Sequence, residues 1–167
     1  IIVVDDDYPA EGAASLQEAI SGPRFIKNDA NVGFLKTCNA AAKLCGGRYI
    51  FFLNNDTEVM PGAIDALVDL LDTDQTVGLT GSKLIYPDGT LQEAGGIVWN
   101  DASAWNYGRN GGPQRPEFNY RRDVDYISGA AIMVRKQAFE ELGGFDEIFA
   151  PAYYEDTDLA FRMREHG

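Results

Sequence analysis

An apolar run, Tyr49-Ile50-Phe51-Phe52-Leu53, stops abruptly at two amides and a carboxylate, Asn54-Asn55-Asp56. A buried strand that ends this way brings oxygen ligands to the rim of a sheet. There Asp56 could hold a hard cation such as Mg²⁺ or Mn²⁺, which takes carboxylate and phosphate oxygens together. An Asx turn leading into the next helix would use the same residues with no chemistry at all. A second acidic string, Tyr153-Tyr154-Glu155-Asp156-Thr157-Asp158, lies far downstream. Its acids suit the start of a helix, and the two tyrosines before them suit a cleft lined for sugar. A third group, Asp5-Asp6-Asp7, closes the opening apolar run Ile1-Ile2-Val3-Val4. Carboxylates there could accept from the imide of a pyrimidine base or from ribose hydroxyls, although for Asp7 a solvated turn is a sufficient account.

The elements that must position these groups alternate. Strands are predicted over 1–4, 24–27, 49–53 and 77–84, with helices over 13–20, 34–45 and 61–71 between them. Pro61 falls in the first turn of the last helix, where its missing N–H costs nothing. Such alternation predicts a mostly parallel sheet with helices on both faces. In sheets of this kind ligands bind beyond the carboxyl ends of the strands, which is where Asp5-Asp6 and Asn54-Asn55-Asp56 fall. Asn31 and Gly33 open the 34–45 helix that carries Asn39. Asn31 suits a helix cap, and a helix N-terminus also suits phosphate. The alternation then stops. A turn at Tyr86-Pro87-Asp88-Gly89 precedes a returning strand over 91–99. Residues 100–122, rich in Gly, Asn, Pro and Arg, form a long insertion of functional or mobile character. A strand over 125–134, interrupted at Ser128-Gly129-Ala130-Ala131, is followed by helices over 136–142 and 156–165. The chain reads as one domain, 1–167, with a first half over 1–84 and a second half over 85–167.

Composition narrows the partners. A 167-residue chain that is 45% hydrophobic is large enough for a real core. Its 14 Lys and Arg against 26 Asp and Glu leave a net charge of −12, which argues against a nucleic acid polymer as partner. No apolar run is long enough to span a bilayer. Cys38 and Cys45 share a helix face about 10 Å apart along the axis, too far for a disulfide. They read as buried thiols of a reducing, cytoplasmic environment. With His166 they would supply too few ligands for a metal.

Several strings together resemble the inverting glycosyltransferases of family 2. Ile2-Val3-Val4-Asp5-Asp6 is similar to the family's nucleotide-binding strand end. Asn31-Val32-Gly33-Phe34 with Asn39 is similar to its Asn-x-Gly helix start. Phe52-Leu53-Asn54-Asn55-Asp56 is similar to the segment bearing Asp-x-Asp, with Asn54 where many members carry the first Asp. Gly144-Phe145-Asp146-Glu147 and Glu155-Asp156-Thr157-Asp158-Leu159-Ala160-Phe161-Arg162 resemble the acceptor-side loop and the Glu-Asp motif. Lys83-Leu84-Ile85-Tyr86-Pro87-Asp88-Gly89-Thr90-Leu91-Gln92 looks like the rhamnosyltransferase and polysaccharide-assembly branch.

The resemblance implies a GT-A fold, a three-layer α/β/α sandwich with an antiparallel portion on the acceptor side. It implies transfer of a hexose or deoxyhexose from a UDP- or dTDP-linked donor to a glycan or lipid-linked hydroxyl with inversion, in surface polysaccharide synthesis. Asp5, Asp6, Asn31, Gly33, Asn39, Asn54, Asn55 and Asp56 would face the nucleotide sugar, with Asp56 on Mg²⁺ or Mn²⁺. Asp156 would be the general base, by the same logic as in inverting glycoside hydrolysis with a sugar hydroxyl in place of water, and Glu155 would support it. Gly129, Ala130, Asp146 and Arg162 would contact the acceptor. Trp99, Trp105 and Tyr107 would either stack on sugar or pack under the 100–122 insertion. Family members carry an additional first strand and further segments after the last motif. The resemblance therefore implies a chain trimmed at both ends, with peripheral association at the inner face of the membrane through the missing parts. A non-catalytic sugar-nucleotide-binding domain and a nucleotidyltransferase are the alternatives, the latter disfavoured by the lack of a basic Gly-rich loop near the N-terminus.

Overall fold

A computed structural model describes residues 1–8, 15 and 17–167. The helix expected over 13–20 lies largely outside the described residues. β1 (Ile2–Asp5) and β2 (Arg24–Lys27) pair in parallel, Ile2 opposite Arg24 and Asp5 opposite Lys27. α1 (Phe34–Ala42) follows, then β3 (Tyr49–Leu53), α2 (Ala63–Thr73) and β4 (Leu79–Gly81). Several expected boundaries move, among them the strand expected over 77–84, of which β4 keeps only Leu79–Gly81, and the strand expected over 125–134, which begins only at Ala131. α1 stops before Cys45, and α2 starts only after Gly62, a left-handed residue at φ 78°, which leaves Pro61 outside the first turn.

The second half supplies β5 (Leu84–Ile85), β6 (Leu91–Glu93), β7 (Gly96–Val98), β8 (Ala104–Asn106) and β9 (Ala131–Arg135), then α3 (Lys136–Glu141) and α4 (Glu155–His166). β9 runs between β3 and β4, antiparallel to both, with Tyr49 opposite Arg135 and Leu79 opposite Val134. β3 and β4 thus point the same way, as their alternation with helices predicts, but a strand from the second half separates them. The sequence of β9 explains its place. Ala131, Ile132, Met133 and Val134 are all buried, as a strand covered on both faces requires.

The two faces sort by the two-residue period of a strand. Ile50, Phe52, Ile132 and Val134 meet Leu35 of α1, Phe139 of α3, Phe145, and Leu159 and Met163 of α4. Met133, with Tyr49 and Phe51, meets Leu67 and Leu71 of α2 on the other side. Three layers result. Phe52, Phe139 and Phe145 form a tilted aromatic trio with centroids 5.2–5.4 Å apart.

The returning strand expected over 91–99 breaks at Ala94-Gly95. Gly95 has φ 93°, and a Cβ at Gly96 would overlap the Tyr126 ring, so only glycine allows this approach. The 100–122 insertion is ordered. β8 pairs with β7, a 3₁₀ turn spans Pro116–Phe118, and the Lys83 ammonium donates to Pro113 O and Asn119 Oδ1 at 2.9 and 2.7 Å. Tyr107 packs on Phe118 and under the Arg122 guanidinium, whereas Trp99 and Trp105 are exposed. Cys38 and Cys45 are free thiols, and burial pushes Cys38 up to about 12.

Candidate active site

Chain direction and one short loop bring the two acidic clusters together. β3 leaves the sheet at Asn54, whose N–H donates to Ala130 O at 2.9 Å. The Asn54 carbonyl accepts from the Thr57 hydroxyl at 2.6 Å and closes a turn with Asn55 and Asp56 at its exposed tip. Within the described residues no hydrogen bond or ion pair reaches the Asp56 carboxylate. One residue back from Ala130, the Gly129 N–H donates to Asp156 Oδ2 at 2.9 Å. Asn54 and Asp156 are therefore tied to adjacent residues of one loop. Gly129 is buried there, and a Cβ on it would lie 3.4 Å from the Phe34 ring.

Asp156 stands in the first turn of α4. Its Oδ1 accepts from the Thr157 N–H at 2.7 Å, and the side chain is only partly buried. Tyr154, at φ 73°, is the residue before the helix, and its hydroxyl donates to Ala102 O at 3.0 Å, tying the start of α4 to the 100–122 segment. Glu155 points inward. It is 6% exposed and its Oε2 has no partner among the described residues. Burial, helped by the nearby Asp156 charge, raises its pKa.

On the other side of the rim, Asp5 and Asp6 separate. Asp6 is a clamp. It accepts from Asn28 Nδ2, Val32 N and Gly33 N at 2.7–3.0 Å. Burial works to raise its pKa, but these hydrogen bonds outweigh burial and leave it lowered. The 31–33 segment is held by this carboxylate and not by Asn31. Gly33, at φ 84°, is the N-cap of α1, and no side chain caps the helix. Asn31 is left exposed. Asp5 uses Oδ1 for the Tyr8 N–H at 2.7 Å, while its buried Oδ2 has no hydrogen-bond partner and stands 4.0 Å from the Lys27 ammonium.

Asn39 and Arg162 have structural partners. The Asn39 amide exchanges two bonds with the Phe145 backbone, at 2.8 and 2.9 Å. Arg162 pairs with an acid on its own helix and with two backbone carbonyls. Its guanidinium donates to Asp158 Oδ2, Leu142 O and Gly144 O at 2.6, 3.0 and 2.9 Å, so it staples α4 to the glycine turn. Asp146 Oδ1 accepts from Ile148 N at 3.0 Å, with the residue exposed. Asn39, Arg162 and the 142–147 turn line a hollow of about 390 Å³. A cleft of about 510 Å³ lies elsewhere, between α2, β4, residues 120–127 and the end of α4. Neither includes Asp56 or Asp156; Asp56 is exposed and Asp156 partly open.

The sequence reading missed Glu93. This β6 residue is 1% exposed, its Oε1 accepts from the Ser128 N–H at 3.2 Å, and its Oε2 has no partner among the described residues. Burial, reinforced by Asp156, pushes its carboxyl up to about 7. The available signal was its two-residue spacing from Leu91, which puts an acid on an inward face.

A metal fits only in a limited sense. No group of three or more His, Cys, Asp or Glu among the described residues could hold an ion. One unpartnered carboxylate flanked by two amides suits a cation whose remaining ligands are phosphates and waters.

The family model for glycosyl transferase family 2 matches residues 1–143. The chain belongs to this family. It is 32% identical over 177 residues to the O-antigen biosynthesis protein RfbC of Myxococcus xanthus, covering 100% of this chain and 14% of that protein. It is 28% identical over 170 residues to the N-acetylglucosaminyl-diphospho-decaprenol L-rhamnosyltransferase of Mycobacterium tuberculosis, covering 86% of this chain and 54% of that enzyme. The chain thus spans about one seventh of the first relative and about half of the second. Two solved structures share the fold over 98% of the chain. GalNAc-T7 with UDP, GalNAc and Mn²⁺ gives a TM-score of 0.74 at 17% identity, covering 34% of that chain. The Pyrobaculum calidifontis mannosyltransferase PcManGT with GDP-Man and Mn²⁺ gives 0.65 at 15%, covering 42%. The family 2 chain has the GT-A fold, with the antiparallel portion supplied by β9 and the strands after β4.

Proposed function

We propose that this chain is the transferring domain of an inverting, metal-assisted glycosyltransferase of surface polysaccharide synthesis. The observation that carries the reading is the shared loop, in which Ala130 holds Asn54 and Gly129 holds Asp156. It sets a donor-side carboxylate and an acceptor-side carboxylate around one piece of backbone. Asp5 Oδ2, buried and without a hydrogen bond, faces the nucleoside, while Asp6 keeps the 31–33 segment in shape for the phosphates. Gly33 lets that segment approach closely, and Asn31, Asn54 and Asn55 offer amides to the donor. Asp56 holds Mg²⁺ or Mn²⁺, which when bound neutralises charge on the departing diphosphate.

Asp156 takes the proton from the acceptor hydroxyl on the face opposite the leaving group. The Gly129 N–H on Oδ2 and the Thr157 N–H and hydroxyl on Oδ1 fix the plane of its carboxylate. Gly129, Ala130 and Asp146 border the acceptor, with the exposed Trp99 and Trp105 as stacking surfaces. The names of the Myxococcus and Mycobacterium relatives support a glycan or lipid-linked acceptor, which we place at the cytoplasmic face of the membrane. UDP and GDP-mannose in the structural neighbours support a nucleoside-diphosphate donor, which we assign as a UDP- or dTDP-linked hexose or deoxyhexose. Among the described residues no helix is long and apolar enough to cross a membrane.

A screen of UDP- and dTDP-hexoses against glycan and lipid-linked acceptors, read by released nucleoside diphosphate, tests this. Acceptor-dependent release by the wild type, abolished in Asp156→Asn, is the expected result. Binding of UDP with Mn²⁺ and no turnover on any acceptor would make the chain a binding module. Pyrophosphate release from a nucleoside triphosphate would make it a nucleotidyltransferase.

A further inference from the structure

We propose that Glu93 is a positioning residue for Asp156, gripping the Ser128 amide so that the next amide, that of Gly129, stays on the Asp156 carboxylate. The proposal rests on the assignment of Asp156 as base. Two consecutive N–H groups serve two different acids. Ser128 N donates to Glu93 Oε1 at 3.2 Å, and Gly129 N donates to Asp156 Oδ2 at 2.9 Å. The dipeptide is held between β6 on one side and α4 on the other, and the following residue, Ala130, carries Asn54. A shift of this loop would move the base and the donor-side turn together.

The two acids differ in surroundings. Glu93 is 1% exposed and its Oε2 is buried without a partner, whereas Asp156 is partly open. Two like charges across one peptide repel, and the more buried group is the one that keeps its proton. Other titratable groups around Glu93 do not supply a counter-charge. Tyr126 lies near it and feels its charge, and Glu155 and Tyr154 are close to Asp156 and Tyr126. On the paired strand β5, Leu84 is opposite Glu93, and the neighbouring Lys83 has its ammonium on Pro113 and Asn119. On the β7 side, Asp125 accepts from Val98 N, and Arg122 is stacked on Tyr107. Glu93 is thus the one of the two acids that holds its proton more tightly, and it accepts from Ser128 through Oε1. Its shift to about 7, from burial first and Asp156 second, agrees with this geometry. Above neutrality its ionisation strengthens the Ser128 bond but sets a second negative charge beside Asp156, and this repulsion across the 128–129 peptide is what weakens the Gly129 bond to Asp156.

Hydrogen exchange of the Gly129 amide, followed by NMR across neutral pH, reads the effect without any substrate. In the wild type, protection of Gly129 should fall roughly tenfold as pH rises through neutrality, about one hydrogen bond's worth. In Glu93→Gln the side-chain oxygen still accepts from Ser128 and the amide group replaces the protonated oxygen, so protection should stay high and independent of pH. In Glu93→Leu it should be low throughout. Identical pH dependence in wild type and Glu93→Gln overturns the proposal, as does full protection in Glu93→Leu. If Glu93→Leu does not fold, the first comparison decides alone. With a donor found by the screen above, Glu93→Gln should retain kcat with a flattened pH profile. Glu93→Leu should lose roughly tenfold or more in kcat with donor KM unchanged. A wild type that turns over no donor would refute the proposed function and leave the amide measurement to judge Glu93.

Discussion

The first half of this chain carries its acids on strand ends, and the second half buries them in a network. Asp5 and Asp56 stand where β1 and β3 run out, and local backbone alone brings them to the rim. Asp156, Glu155 and Glu93 come from α4 and β6 and meet only because the 128–130 loop passes between those elements. The acids at the ends of β1 and β3 that the proposed donor side uses directly are therefore brought there by topology, and those of the proposed acceptor side by long-range hydrogen bonds, with Asp6, clamped on Asn28, Val32 and Gly33, the first-half exception. An exposed strand-end acid such as Asp56 can be removed at little cost to the fold. An acceptor-side acid is tied to parts of the chain far from it in sequence.

The largest effect should come from Asp156→Asn, which keeps an oxygen for the Gly129 amide but cannot take a proton. A loss of about 10²–10⁴ in kcat is expected, the usual range for a general base, with nucleotide binding retained. Measured by release of nucleoside diphosphate, normal turnover in this variant would remove Asp156 from the chemistry. Glu93 gives the next effect, on stability. Its carboxyl is raised from 4.5 to about 7 in the fold, so between those values the folded chain keeps a proton that the unfolded chain has lost. The stabilisation is whole below about pH 4.5 and gone above about pH 7. Relative to Glu93→Gln, the wild type should lose on the order of 3 kcal/mol across that window. Denaturant titrations of both proteins at the two ends of the window check the sign. Superimposable pH slopes would mean that Glu93 is charged in the fold, and the contrast between the two halves would weaken.

The contrast also explains what could be read from the residues. The alternation over the first half, the strand over 49–53 and the helix of Asp156 follow from local pattern, and so did the sheet ends that bear Asp5 and Asp56. The insertion of β9 between β3 and β4 did not, because four buried residues in a row specify a doubly covered strand without naming its neighbours. Arg162 was assigned to the acceptor from its place near the Glu-Asp motif. One partner, Asp158, lies at the local i,i+4 spacing, whereas the other two, the Leu142 and Gly144 carbonyls, belong to a turn whose position no local pattern encodes. Gly and Pro content over 100–122 suggested mobility. The order there comes from a single buried Phe118 and the Lys83 ammonium, both contacts across distance.

Arg162→Met should sharpen the acceptor-side half of the comparison. The apolar stem is kept while three acceptors, one of them the Asp158 carboxylate, lose their donor. About 2 kcal/mol of stability should be lost. Donor binding should be unchanged, since the staple lies between α4 and the 142–144 turn. A normal denaturation midpoint accompanied by weak acceptor binding would restore Arg162 to the acceptor.

Asp56→Ala should have the smallest effect on the fold and a clean effect on binding. The residue is exposed, and nothing among the described residues leans on its carboxylate, so stability should move by less than about 0.5 kcal/mol, as for an ordinary surface position. UDP binding measured calorimetrically with Mn²⁺ should weaken by roughly tenfold, or about 1.4 kcal/mol. Without metal, the affinities of wild type and variant should coincide. That pairing of results is what a strand-end acid predicts and an embedded one does not. If Asp56→Ala destabilised the fold as Arg162→Met does, the turn over 54–57 would be a structural knot like the acceptor side, and the division between the halves would fail. If metal-dependent affinity did not change, the cation would have to be held by the Asn54 and Asn55 amides and the phosphates alone, and Asp56 would lose its role at the rim.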